Sequence, residues 1–110
     1  MTEKHSAHGR FAAEGTLTVR EIESVHSRLR ELIGRHDRVE IDLATVTEID
    51  LSGIQLLLAA RKSAQTAGKT VLLAQPLPAP VREALVRGGF LPPAGEPSEI
   101  GRFWIESRSA

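Results

Sequence analysis

Hydrophobic residues recur along this chain with two different periods, and the switches between them mark out its elements. Ile22, Val25, Leu29, Leu32 and Ile33 repeat every three or four positions, with Glu21, Glu23, Arg28, Arg30 and Glu31 between them. That is one apolar face of a helix. Thr18 followed three residues later by Glu21 fits a capping box at its start, and Gly34 fits its end. Val39, Ile41 and Leu43 then alternate with Glu40 and Asp42, the period of a strand with one apolar face. Ala44 to Glu48 reads as a connection with turn character, followed by Ile49. From Ser52 to about Ala67 the helical period returns, with Ile54, Leu57, Leu58 and Ala64 on one face and Leu56, Ala59 and Ala60 widening it. Gly68 closes this helix.

Thr70 to Ala74 carries the unbroken run Val71-Leu72-Leu73, which suits a strand covered on both faces, as in parallel sheets. Pro76, Pro78 and Pro80 follow, and Pro80 fits the first turn of a helix. Val81, Ala84 and Leu85 give that helix its inward face, and Gly88-Gly89 ends it. A short strand over Arg10 to Glu14, closed by Gly15, precedes all of this, and Ile100, Phe103 and Trp104 are spaced for a short last helix. Strands and helices therefore alternate, which predicts an α/β fold with crossover connections and parallel pairing. No internal repeat and no second domain is visible.

Composition narrows the function. The 110 residues suit one domain with one core. Fourteen basic residues balance fourteen acidic ones, which argues against a dedicated nucleic-acid binder. With no cysteine, a disulfide framework and thiolate metal or redox sites are excluded. No run is long enough to cross a bilayer, and the polar stretch Met1 to Arg10 lacks a signal-peptide core. A cytoplasmic protein without direct membrane insertion is the expectation. One Trp, three Phe and no Tyr leave little aromatic surface for stacking on bases or sugars.

Catalytic motifs are missing. There is no phosphate-binding loop of the G-x-x-x-x-G-K-[ST] type, no dinucleotide fingerprint and no nucleophile elbow. His5 and His8 have an H-x-x-H spacing, but a terminal tail offers no preorganised geometry for a metal. His26 and His36 read as surface residues. Glu48 and Asp50 are two positions apart, but a glycosidase pair also needs an aromatic-lined cleft. The expectation is a protein that is not an enzyme and needs no cofactor or metal.

What remains is the junction Asp50-Leu51-Ser52-Gly53. The residues alone admit two readings. Asp and Ser both favour helix N-caps, so the segment can be a strand-to-helix cap and nothing more. Alternatively, a hydroxyl at a helix start, where first-turn amides and the dipole favour negative charge, is a place for phosphorylation. A phosphate on Ser52 would add about two negative charges to that corner. A partner docked on Glu48, Asp50 and Ser52 would then be repelled without any refolding.

The run Val39 to Leu57, V-E-I-D-L-A-T-V-T-E-I-D-L-S-G-I-Q-L-L, resembles the signature of STAS domains, the anti-sigma factor antagonist family. Gly68 to Leu73 is similar to that family's next strand, and Val81 to Leu85 with Gly88 to Leu91 to its next helix and cap. The resemblance spans roughly residues 10 to 91. The polar residues 1–9 read as a tail ahead of a single domain over residues 10–110. The resemblance implies a mixed, mostly parallel sheet of four to five strands with helices mainly on one face, and no catalytic activity. In the family's phospho-switch branch the serine before the glycine, here Ser52, is phosphorylated by a partner kinase that is also the anti-sigma factor, and a phosphatase resets it. The partner surface implied for this chain comprises Thr18, Thr47, Glu48, Asp50, Leu51, Ser52, Gly53 and Gln55, on a monomer or weak dimer.

Two departures bear on the partner. Leu51 stands where the family usually has Ser or Thr, and Thr18 stands where an Asp that contributes to partner contact is common. The Leu-Ser-Gly-Ile-Gln-Leu-Leu version is similar to stand-alone STAS proteins of bacterial chemotaxis or two-component systems. The departures point away from the standard sporulation or stress-response anti-sigma kinase, and the expected partner is another protein kinase of the anti-sigma type or a chemotaxis-type histidine kinase. The alternative is the family branch that serves as a subunit of a phospholipid-trafficking ABC transporter and binds its ATPase.

Overall fold

In the computed structural model, which describes residues 8–91, the order is β1 (His8–Leu17), α1 (Ile22–Arg35), β2 (Arg38–Ile49), α2 (Leu51–Thr66), β3 (Thr70–Leu73) and α3 (Ala79–Arg87). The three strands form one parallel sheet in the order β1-β2-β3. This is the predicted alternation. A fourth or fifth strand, and the antiparallel pairing of a mixed sheet, are not found among the described residues. The expected helix around Ile100, Phe103 and Trp104 lies outside them.

The core follows from the alternation. Phe11 and Ala13 of β1, Val39, Ile41 and Leu43 of β2, and Val71 and Leu73 of β3 are buried. They join Leu29 and Ile33 of α1, Ile54, Leu57 and Ala64 of α2, and Val81 and Leu85 of α3 in one cluster. Arg10, Glu14, Glu40 and Asp42 occupy intervening strand positions. Arg10 bonds Glu40 and Asp42, both at 2.6 Å, across β1 and β2. Leu72 is half-buried rather than covered on both faces.

Several boundaries differ from the sequence-based expectation. β1 starts earlier than Arg10 and ends later than Glu14. Helix α1 starts at Ile22, with Glu21 rather than Thr18 at its N-cap. Only half of the capping box forms, because the Glu21 carboxylate accepts from the Thr18 amide at 2.9 Å and the Thr18 hydroxyl at 2.8 Å. The helix also runs through Gly34 to Arg35, and the His36 amide donates to the Leu32 carbonyl at 3.0 Å.

The largest correction concerns Ala44 to Glu48, which is not a turn. β2 continues through it to Ile49. Its register against β1 breaks between Ala12 and Glu14 and again between Gly15 and Thr16, and each break places one extra residue on β2. Two bulges thus stretch the burial period, so that Leu43, Val46 and Ile49 are buried in steps of three. The Asp42 carboxylate accepts from the Ala44 amide at 2.8 Å. Thr45 and Thr47 donate their hydroxyls to the carbonyls of Ala13 and Gly15 across the strand pair. Gly15 takes a φ of 70°, where a side chain would be strained.

Candidate functional site

The bulged ends of β1 and β2 bring the β1–α1 turn against the start of α2. Asp50 is the N-cap of α2, with extended backbone. One carboxylate oxygen, Oδ1, accepts from the Gly53 amide at 3.0 Å, and the other, Oδ2, accepts from the Val19 amide at 3.0 Å. The Asp50 amide donates to the Leu17 carbonyl at 3.4 Å. One side chain therefore caps a helix and fastens a neighbouring turn. It serves both readings of the sequence, since a cap this firmly held also fixes the corner around Ser52.

Gly53 is required by close approach. A Cβ there would collide with the backbone carbonyl of Leu17 and lie 2.8 Å from the Ile49 side chain. Because α2 starts so tightly against the strand ends, its first residues project outward. Leu51 is 55% exposed, Ser52 is half-buried and Gln55, one turn on, is exposed. No acidic residue occupies the first turn of α2, so the helix dipole there is opposed only by the Asp50 cap.

The structure brings Thr18, Asp50, Leu51, Ser52 and Gly53 together around this corner. Thr18 is half-buried and orders the turn by donating both its amide and its hydroxyl to Glu21. Those donors, the Thr18 amide first and its hydroxyl second, hold the Glu21 carboxyl below its ordinary value of 4.5, with Thr16 adding a smaller pull. Glu48 is exposed and pairs in register with Thr16. Thr47 is exposed, but its hydroxyl is committed to the β1 carbonyl of Gly15 at 3.1 Å.

Val19 is the residue that sequence reasoning missed. It is 69% exposed, and with Leu51 it makes up the exposed large hydrophobics among the described residues. Both adjoin Asp50, Val19 through its hydrogen bond and Leu51 through the chain. The signal was available, because Val19 falls three positions before Ile22, in phase with the α1 stripe, yet lies outside that helix. Among the described residues no group of three or more His, Asp or Glu side chains is placed to hold a metal. No helix among them is long and apolar enough to cross a membrane.

Comparison with known proteins places this geometry. The anti-sigma factor antagonist SpoIIAA in its unphosphorylated form superposes with a TM-score of 0.59 at 16% identity, covering 73% of this chain and 74% of that one. The Bacillus cell fate determinant SpoIIAA in the phosphorylated form gives 0.59 at 18% identity, covering 76% of each chain. The STAS domain of a SulP transporter from Vibrio cholerae gives 0.56 at 23% identity, covering 76% of this chain and 64% of that one. A protein described as Mglu matches at 25% identity with a TM-score of 0.58, and the match covers 67% of this chain but 19% of Mglu. No curated protein matches. The family described as "Mlab, STAS domain" matches residues 1–90, and the chain belongs to the STAS domain family.

Proposed function

We propose that this chain is a non-catalytic bacterial regulatory module of the anti-sigma factor antagonist type, which docks a partner protein on the corner formed by the β1–α1 turn and the start of α2. The observation that carries this reading is the exposure of Val19 and Leu51 on either side of Asp50. Among the described residues these are the large apolar side chains left exposed, and both adjoin a rigid polar cap. An exposed apolar pair ringed by polar residues is the anatomy of a contact site. Thr18, Thr47, Glu48, Asp50, Leu51, Ser52, Gly53 and Gln55 form or support the surface.

Ser52 is its switch. The residue is half-buried at the second position of α2, where first-turn amides and the dipole tolerate a phosphate. A partner seated on Val19 and Leu51 does not tolerate it, because two added charges require solvation at the contact. The structural likeness to SpoIIAA, described in both phosphorylated and unphosphorylated forms, supports this reading. The partner is a protein kinase of the anti-sigma type or a chemotaxis-type histidine kinase, with a phosphatase to reset the site, and the apolar Leu51 favours a partner with an apolar recess.

The test has two arms. Phosphopeptide mass spectrometry on protein isolated from its own cells reads modification of Ser52. Calorimetric titration of wild type, Ser52→Ala and Ser52→Asp against candidate kinases from the same cells reads the switch. Ser52→Ala should bind like wild type and Ser52→Asp at least tenfold more weakly. Equal binding by all three ends the switch proposal.

A second reading is the subunit of a phospholipid-trafficking ABC transporter, bound to its ATPase. The Mlab description of the matching family and the SulP transporter domain among the structural neighbours favour it. It predicts stable co-purification with an ATPase, and Leu51→Asp should abolish that association.

A further inference from the structure

Away from the Ser52 corner, α1 and α2 enclose an open groove of about 320 Å3. Its floor is apolar, made by the buried Leu29, Ile33, Leu56 and Ala60. His26 and Arg30 of α1 form one wall, and Ala59 and Ser63 of α2 the other. Past Ala59 and Ser63 a second, shallower depression lies over Lys62 and Thr66 and shares those first two residues with the groove. From Leu56 to Thr66 this surface runs roughly 15 Å along α2, about the length of a ten-residue helix.

Two properties of the groove define its occupant. Ala59 and Ser63 are small and exposed, so a guest backbone can approach α2 closely. The charge along the groove has one sign. No carboxylate lines either depression, and α2 has no acidic residue along its length. On α1, Glu31 is engaged by Arg35 at 3.1 Å, and Glu23 stands outside the lining. Arg30 and Lys62 are exposed and form no ion pair among the described residues.

We propose that this groove is a second docking surface, independent of the Ser52 corner, which receives an acidic amphipathic helix of a protein partner. Apolar anchors of the guest at i, i+3 or i+4, and i+7 lie over Leu29, Ile33 and Leu56, the helix-in-groove mode. Guest carboxylates flank that stripe and meet Arg30 on one wall and Lys62 just beyond the other. Charge complementarity sets the orientation and the choice of partner. The chain thereby joins two proteins, one at the switchable corner and one on the helix pair.

The experiment uses the full chain, labelled with 15N, and two synthetic peptides of about 14 residues, close to four helical turns. Both carry the same leucine stripe. One has Glu at every flanking position and the other has Lys. The acidic peptide should shift the amides of His26, Arg30, Ala59 and Ser63 saturably, and the Lys peptide should leave them in place. The Arg30→Glu, Lys62→Glu double variant should weaken the acidic peptide about tenfold or more, since each exposed pair is reversed rather than merely removed. Ala59→Trp should block it, and both variants change exposed positions and should keep the wild-type circular dichroism. Ser52→Asp should bind the peptide as wild type does.

Equal binding of the two peptides, or binding indifferent to the double charge reversal, overturns the proposal. So do shifts confined to residues 50–55. Concentration-dependent shifts of the groove amides without peptide identify a second copy as the occupant, and Overhauser contacts from the Trp104 indole to Ala59 identify the chain's own C-terminal segment. Either result also overturns it.

Discussion

Asp50→Ala and Asp50→Asn remove different parts of the corner, and the difference has a calculable size. The wild-type carboxylate accepts one bond from the Gly53 amide and one from the Val19 amide. Losing an N-cap acceptor costs about 1 kcal/mol. The bond from Val19 to a charged acceptor is worth about 1.5 kcal/mol, the lower end of its class, because the site is half-exposed. Asp50→Ala therefore costs about 2.5 kcal/mol, which for a domain of this size lowers Tm by roughly 10–20 °C. Asn has one acceptor oxygen and one NH2 donor group. It can keep the cap, but it then turns a donor toward the Val19 amide. Asp50→Asn should lose about 1.5 kcal/mol, placing its Tm between the other two. Scanning calorimetry gives the order, and urea unfolding with an unchanged m value shows that stability alone has changed. If Asp50→Asn melts as low as Asp50→Ala, the two oxygens do not have separate roles. If both variants melt within about 2 °C of wild type, well under the shift from 1 kcal/mol, the carboxylate does not hold the corner.

Gly53→Ala should destabilise by about 1–3 kcal/mol, because the new methyl meets the Leu17 carbonyl, which is backbone and cannot swing aside; a wild-type Tm would contradict the observed approach of α2 to β1. Val19→Ser with Leu51→Ser should change stability by less than about 0.5 kcal/mol, since both side chains are exposed, while weakening the partner at the Ser52 corner at least tenfold in calorimetric titration. The folded Glu21 carboxyl titrates below its ordinary value of 4.5 because the Thr18 amide and hydroxyl donate to it. Its contribution is present above 4.5 and is lost as pH falls through the folded value, so wild type and Glu21→Gln should converge in Tm on acidification below 4.5. Divergence of the two curves in that range would reverse the sign of the argument. Thr47→Val should lower Tm by a few degrees through loss of its bond to Gly15, a neutral hydrogen bond of about 1 kcal/mol.

The order of elements and the family were both legible in the chain before any folding was considered. Each helix from Ile22 to Arg87 has an apolar stripe that its own period reveals, and each strand has alternating or continuous apolar residues. Those patterns are local, and the Asp50-Leu51-Ser52-Gly53 signature lies within one contiguous stretch. Asp50 and Ser52 were legible because their cap preference is also local.

The remainder depended on which segments meet in space. Ala44 to Glu48 looked like a turn because Leu43, Val46 and Ile49 break the two-residue period, and only the bulged pairing with β1 makes that spacing a strand. Gly34 looked like a helix end, but glycine is also tolerated inside a helix at modest cost, and α1 continues to Arg35. Val19 is in phase with the α1 stripe, but the turn that holds it, fastened to Asp50, leaves it exposed. The second bond of Asp50 joins residues thirty-one positions apart, and the groove between α1 and α2 depends on how two helices lie together. Periodicity records which side of an element is apolar. It does not record which distant backbone comes to meet that element, and the corner and the groove are both made by such meetings.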